Sequence, residues 1–132
     1  MSCVPVKRRT VVGMDFDPFA LGCPSRQVLD RVGDRWTVLV VLALRDGTLR
    51  FTQVRDRVQG ISEKVLSGLL RGLVRDGLLT RTQQPGIPPR VDYALTPLGE
   101  DLAATLGGLD RWAREHAAQM LRARDVYDSA SR

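Results

Sequence analysis

Covalent or metal chemistry needs cysteine, histidine or carboxylate groups at close spacing, and the chain offers few. Its only cysteines are Cys3 and Cys23, and its only histidine is His116. These cannot supply the four ligands of a structural zinc site, and no spacing among them matches a zinc motif. His116 has no carboxylate, cysteine or second histidine at a spacing useful for acid–base work, so it is assigned packing and no chemistry. No cofactor or metal is expected, and the chain is not expected to be an enzyme. Cys23 is a different case. It precedes Pro24, a residue suited to the opening of a helix, so its thiol should feel the positive end of a helix dipole, with Arg26 and Arg31 adding to that field. Such a setting lowers a thiol pKa and raises the thiolate fraction that oxidants and electrophiles attack. A buried cysteine would instead be an inert structural residue, and both readings of Cys23 stand. An oxidised Cys23 would pair with Cys3, with Cys23 of a second copy, or with a small thiol.

The other chemistry open to these residue types is phosphate recognition. Of 20 basic residues 18 are arginine, against 15 acidic ones, for a net charge of +5 on 132 residues. The excess is uneven. Residues 1–44 carry +2, residues 45–90 carry +5 and residues 91–132 carry −2. A positive middle third is expected where that segment faces a polyanion and the last third faces something else. The same charges would also suit a solvated arginine-rich surface.

The elements that must position these groups follow from apolar spacing and turn residues. Residues 1–22, with the cluster Lys7-Arg8-Arg9, show no sustained period and read as a flexible arm. Val28, Leu29 and Val32 predict a short helix from Pro24 to Gly33. Trp36 to Leu44 is almost wholly apolar and predicts a buried helix with Trp36 in the core. Thr48 to Phe51 suits a very short strand, and Thr52 a cap for a helix through Val58 that Gly60 closes. Ser62 then caps the best-patterned helix. Val65, Leu66, Leu69, Leu70, Leu73 and Val74 form its apolar face and Glu63, Lys64, Ser67, Gly68, Arg71 and Arg75 the opposite one, up to Asp76-Gly77. Small residues there permit close approach to another surface, and the basic ones reach phosphates or base edges.

From Leu79 the period becomes extended. Leu79–Gln83 and Arg90–Leu95 predict a hairpin around a proline-stiffened tip. Thr96-Pro97 opens a long last helix whose apolar side is Leu98, Leu102, Leu106, Leu109, Trp112, Ala113, His116, Met120 and Leu121. Gly107-Gly108 should weaken it midway, and the chain after Arg124 should fray. Trp112 and His116, four residues apart, would line a dimer seam or a small pocket beside it. The longest apolar run, Val38 to Leu44, is far short of the roughly 20 residues that span a bilayer. With no signal-peptide pattern the chain is expected to be cytoplasmic, without a membrane partner.

Three helices, a glycine turn, a patterned helix, a β-hairpin and a long helix make a mainly α fold with a small β-hairpin: a winged helix-turn-helix. Its patterned helix would enter the major groove, about 12 Å wide. The expected DNA-facing residues are Ser62, Lys64, Ser67 and Arg71 on that helix and Arg90 on the wing, which Arg81 also flanks. Four motifs occur in order: Cys23-Pro24, Gly33-Asp34-Arg35-Trp36, Ile61-Ser62-Glu63-Lys64-Val65-Leu66 and Pro89-Arg90-Val91-Asp92-Tyr93. In this combination the chain resembles the HxlR-type winged helix-turn-helix regulators over about Cys23 to Leu121. The resemblance implies a homodimeric transcription factor that joins through its first and last helices and binds double-stranded DNA at an inverted-repeat operator. It further implies that Cys23 matches a position used by several such regulators to sense oxidants or electrophiles. The organisation expected is therefore an arm (1–22), a winged helix-turn-helix domain (23–122) and a frayed tail (123–132). The function expected is a sequence-specific regulator, read as a repressor, responsive to oxidants, electrophiles or a small molecule. The alternative is a winged-helix protein-interaction module that does not bind DNA.

Overall fold

The computed structural model of the chain describes residues 17–131. Cys3 and the Lys7-Arg8-Arg9 cluster of the expected arm lie outside the described residues. The elements in order are α1 (Pro24–Val32), α2 (Arg35–Leu44), β1 (Leu49–Arg50), α3 (Phe51–Arg57), α4 (Glu63–Arg75), β2 (Leu79–Gln84), β3 (Arg90–Leu95) and α5 (Pro97–Ala130). They divide into two compact units, one ending at Val40 and the other beginning at Val41, with the division inside α2.

In the first unit, Cys23 is the extended N-cap of α1 and Pro24 opens the helix. No residue of α1 is buried. Its apolar Val28 and Leu29 are more than half exposed. Asp34 starts α2 by accepting the backbone N–H of Trp36 at 3.0 Å, the capping geometry that aspartate favours. Thr37 and Val40 are fully buried, and Val41 and Leu44 continue that face beyond the division. Trp36 departs from the core expectation. It is half-buried, with the guanidinium of Arg35 lying 4.3 Å from its ring centroid in a cation–π contact.

In the second unit, a three-stranded antiparallel sheet has the order β1-β3-β2. The wing register runs from Leu79 opposite Leu95 to Gln84 opposite Arg90, and β1 adds Leu49 opposite Tyr93. The helix after β1 starts two residues earlier than expected. Arg50, not Thr52, is its N-cap, and Gln53 accepts the Arg50 backbone N–H at 2.9 Å. The core gathers Val54, Val58 and Ile61 with Leu66, Leu69, Leu70 and Leu73 of α4, Leu78, Leu79, Tyr93, Ala103 and Leu106. Burying each of the α4 leucines is worth about 1.5–3 kcal/mol, so these side chains fix the rotation of α4. Val65 was expected among them but is 45% exposed, because it sits at the edge of the leucine face.

The end of α4 is a Schellman turn. Gly77 adopts φ +78, its N–H reaches the Val74 carbonyl at 3.0 Å, and the Leu78 N–H reaches the Leu73 carbonyl at 3.0 Å. Thr96 caps α5, accepting the Gly99 N–H at 3.0 Å while its own hydroxyl donates to the Gly77 carbonyl at 2.6 Å. The chain here is so close that a Cβ on Gly99 would stand 2.1 Å from the Leu78 carbonyl oxygen.

Only Gly99, Ala103 and Leu106 of α5 are buried. Leu98, Leu109, Trp112, Met120 and Leu121, expected on an apolar side, are 44–58% exposed. The helix meets its own chain's core only along its early turns, at positions i, i+4 and i+7. It passes through Gly107-Gly108 without interruption and continues to Ala130, through residues 123–130 where a frayed tail was expected. Ala123, Arg124 and Ala130 in that stretch are strong helix formers. Among the described residues, no helix is long and apolar enough to cross a membrane.

Gly99→Ala is expected to cost about 1–3 kcal/mol in urea unfolding, since its methyl must displace backbone rather than a side chain. Gly68→Ala, where a Cβ meets nothing within 4 Å, should instead stabilise by about 0.5–1 kcal/mol. Equal effects at the two positions would contradict the close approach at Gly99.

Candidate nucleic-acid interface

The helix-turn-helix is α3, the turn around Gly60 (φ +91) with buried Ile61, and α4. Leucines hold one side of α4 against the core. Lys64, Ser67, Gly68, Arg71 and Arg75 occupy the other side, all exposed and spaced as one stripe about three turns long. Ser67 and Gly68 give the stripe a low floor between its cationic ends. Ser62 sits at the N-cap, where its hydroxyl oxygen accepts the Val65 N–H at 3.1 Å. That bond uses an acceptor lone pair and leaves the O–H proton as a donor at the positive end of the helix dipole. Three of the expected DNA-facing residues, Lys64, Ser67 and Arg71, therefore share the exposed side of α4, and the fourth, Ser62, is exposed at its N-terminal end.

The acidic exception on that helix is Glu63. A carboxylate in a first helical turn stabilises the helix but opposes a phosphate. Arg55, on α3, makes an ion pair and hydrogen bond to the Glu63 carboxylate, and a second ion pair to Asp56 at 3.5 Å. The Glu63 bond chiefly, with the charges of Asp56 and Glu63, raises the Arg55 pKa above its already high ordinary value. The pair neutralises Glu63 and ties the two helices of the motif. The sequence reading missed Arg55, because the eight-residue separation becomes a contact only when the turn folds α3 back on α4.

Arg90, the fifth expected residue, begins β3 beside the wing tip. Its Nε donates to Asp92 Oδ1 at 2.9 Å, and Gln84 Nε2 donates to Asp92 Oδ2 at 3.0 Å. Asp92 is only 7% exposed, so it is an anchored acceptor, whereas the Arg90 side chain is half exposed. The Nε bond fixes the plane of the guanidinium and leaves the Nη hydrogens for an outside acceptor. Asp92 and Gln84 are positioning residues absent from the sequence reading. One signal was present: residues i and i+2 of a strand share a face, which puts Asp92 on the face of Arg90. Arg81 is exposed on β2, opposite Tyr93.

Cys23 is not part of this interface. It is the N-cap of α1, is fully buried, and is disulfide-bonded; Ser25 Oγ lies 3.4 Å from its sulfur. The position ahead of a helix is as expected, but the sulfur is not a free thiol. Trp112 and His116 stack with ring centroids 4.7 Å apart, and His116 Nδ1 lies 2.8 Å from the Trp112 carbonyl oxygen. With Gln119, Met120 and Ala123 they line an apolar hollow of about 200 Å³ on the exposed side of α5. Among the described residues, no three His, Cys, Asp or Glu side chains are grouped to hold a metal ion.

Comparison with known proteins gives this geometry a context. The model of the HxlR-like helix-turn-helix family matches residues 31–121. An HTH-type transcriptional regulator of Escherichia coli, YtfH, is 45% identical over 107 residues, covering 81% of this chain and 85% of its own. The solved structure of the transcriptional regulator YtfH from Salmonella typhimurium superposes with a TM-score of 0.79 at 45% identity, covering 83% of this chain and 97% of that one. The redox regulator HypR, solved in its oxidised form, superposes with a TM-score of 0.66 at 30% identity, covering 70% of this chain and 96% of that one. A winged fold, an exposed basic recognition helix and a family match across most of the chain lead to one conclusion: the chain belongs to the HxlR-like helix-turn-helix family of DNA-binding transcriptional regulators.

Proposed function

We propose that the chain binds an inverted-repeat operator as a homodimer and represses transcription by occupying it. The observation that carries this reading is the exposed Lys64-Ser67-Gly68-Arg71-Arg75 stripe on a helix whose opposite side is anchored by four buried leucines. In the major groove, Arg71 would read a guanine through O6 and N7, and Lys64 would meet a phosphate. Ser62 and Ser67 add hydrogen bonds to backbone or base edges. Arg90, held by Asp92, would meet the backbone beside the wing. Two such helices one turn of duplex apart, about 34 Å, require two copies of the chain.

The dimer itself is supported by exposed apolar surface. Val28 and Leu29 on α1, and Leu109, Trp112, Met120, Leu121, Val126 and Tyr127 on α5, are each 44–74% exposed. Apolar side chains repeated along a solvent-facing helix are the ordinary mark of a subunit interface. Burial in the dimer also accounts for a helix extending well beyond its own chain's core. Occupancy of a promoter by such a dimer is sufficient for repression, which is the direction proposed, within the cytoplasm. The domain proposed spans residues 23–122. Cys23 is proposed as the oxidant-responsive group. Its support is the disulfide at a helix N-cap, together with the likeness to a protein named a redox regulator.

Mobility shift on the chain's own upstream region tests the DNA reading. Arg71→Ala should weaken binding roughly five- to 150-fold and relax the preference at one base pair, the value of one bidentate guanine contact. Lys64→Ala should weaken all sequences alike and lower the salt slope by about 1, since each phosphate contact releases about 0.9 counterion. Unchanged affinity in both variants would remove α4 from the interface and leave a protein-binding module. Trp112→Glu should shift sedimentation toward the monomer and weaken operator binding with it. For Cys23, dithiothreitol should change operator affinity in the wild type and leave Cys23→Ser unmoved; equal responses would make the cysteine structural.

A further inference from the structure

Away from α4 and the wing, the second unit contains a hollow of about 490 Å³, open on one side, lined by Arg45, Leu95, Glu100, Ala103, Ala104, Gly107 and Arg111. Its size is that of a small-molecule site. Two arginines line it, and Arg45 lies close against α5 at Gly107. A Cβ on Gly107 would stand 3.3 Å from Arg45 Nη1, and one on Gly108 would stand 3.8 Å from Arg111 Nη2. Gly107, which helix propensity alone would disfavour, is thus the seat of the Arg45 guanidinium, while the contact at Gly108 is of ordinary length.

The positive charge in this hollow is poorly spent. Among the described residues, Arg45 has one carboxylate in ion-pair range, Asp110 at 3.9 Å. That carboxylate is already engaged: Arg114 Nε donates to both of its oxygens, at 3.0 and 3.1 Å. Arg111 forms no ion pair or hydrogen bond with another described residue. Glu100 is the one acidic residue lining the hollow, so two cations face one anion there. Leu95, Ala103, Ala104 and Gly107 supply an apolar wall between them. We propose that this hollow binds a small organic monoanion, its carboxylate between Arg45 and Arg111, its apolar body on Ala103, Ala104 and Leu95, and a hydrogen-bond donor turned to Glu100. Arginine suits a carboxylate because its planar fork matches both oxygens. Glu100 disfavours a second negative charge by repulsion and accepts a hydroxyl or amine hydrogen instead. The inference rests on the hollow alone and is independent of the DNA reading.

The test is titration calorimetry on the full chain, without DNA, using 4-hydroxybenzoate, benzoate and inorganic phosphate as probes. The expected order is 4-hydroxybenzoate above benzoate above phosphate. Arg45→Gln and Arg111→Gln should each weaken 4-hydroxybenzoate about tenfold, the loss of one charge-assisted contact. Gly107→Leu should abolish binding by filling the hollow and displacing Arg45, while circular dichroism stays unchanged, leucine being a better helix former than glycine. Glu100→Gln should reduce the advantage of 4-hydroxybenzoate over benzoate. No heat with any probe at millimolar concentration overturns the proposal, and so does binding that survives Gly107→Leu or both arginine variants. Phosphate binding as tightly as 4-hydroxybenzoate overturns the assignment to an organic monoanion.

Discussion

The second unit depends on the junction where the end of α4, the base of the wing and the start of α5 meet. Two carbonyl groups, those of Gly77 and Leu78, carry it. The Gly77 carbonyl takes the Thr96 hydroxyl and the Leu78 carbonyl takes the Thr96 N–H, at 2.6 and 3.0 Å, while the same threonine caps α5. Both carbonyls lie just past the end of α4, outside its hydrogen-bond ladder, and the chain that returns from the wing satisfies them. The recognition helix, hairpin and long helix are therefore joined at one point. A shift of α5 has no slack in which to dissipate, because Gly99 is already against the Leu78 carbonyl.

A basic surface gains its directionality from the acidic residues placed inside it. Asp92 is nearly buried and acts on Arg90 by fixing the orientation of a side chain that would otherwise sample many rotamers. Glu63 favours the N-terminus of α4, and Arg55 cancels the cost of that charge facing a polyanion. Net charge describes the field that draws a duplex near; these pairs decide which hydrogen-bond donors are presented once it arrives.

The long helix divides its labour along its length. Its first turns are packed through Gly99, Ala103 and Leu106. Its middle uses Gly107 to admit the Arg45 side chain, and its far half exposes Trp112, Met120, Leu121, Val126 and Tyr127. An apolar stripe on a helix is a demand for a partner, and only the early part of that demand is met within the chain.

The elements themselves were legible in local spacing. Paired leucines every four residues specify α4 and its anchored face, Ser62 and Thr96 specify two helix starts, and a switch to extended period with a proline tip specifies the wing. These are contacts between neighbours in sequence, whose geometry is fixed by the backbone period. The exposed Lys64, Ser67 and Arg71 follow directly, being whatever the buried face leaves over. Periodicity cannot say what covers an apolar residue, and so Trp36 lies under Arg35 and much of the apolar side of α5 faces outward. Nor can it find a partner across a turn. Arg55 with Glu63, Gln84 with Asp92, and Arg45 against Gly107 are separated by eight or more residues, and each came into reach only when a turn or the sheet brought two segments together. The sequence by itself determined the elements and the anchored face of α4; the tertiary structure decided which other apolar faces are covered and which charges meet, because a contact between side chains depends on distances that local spacing does not contain.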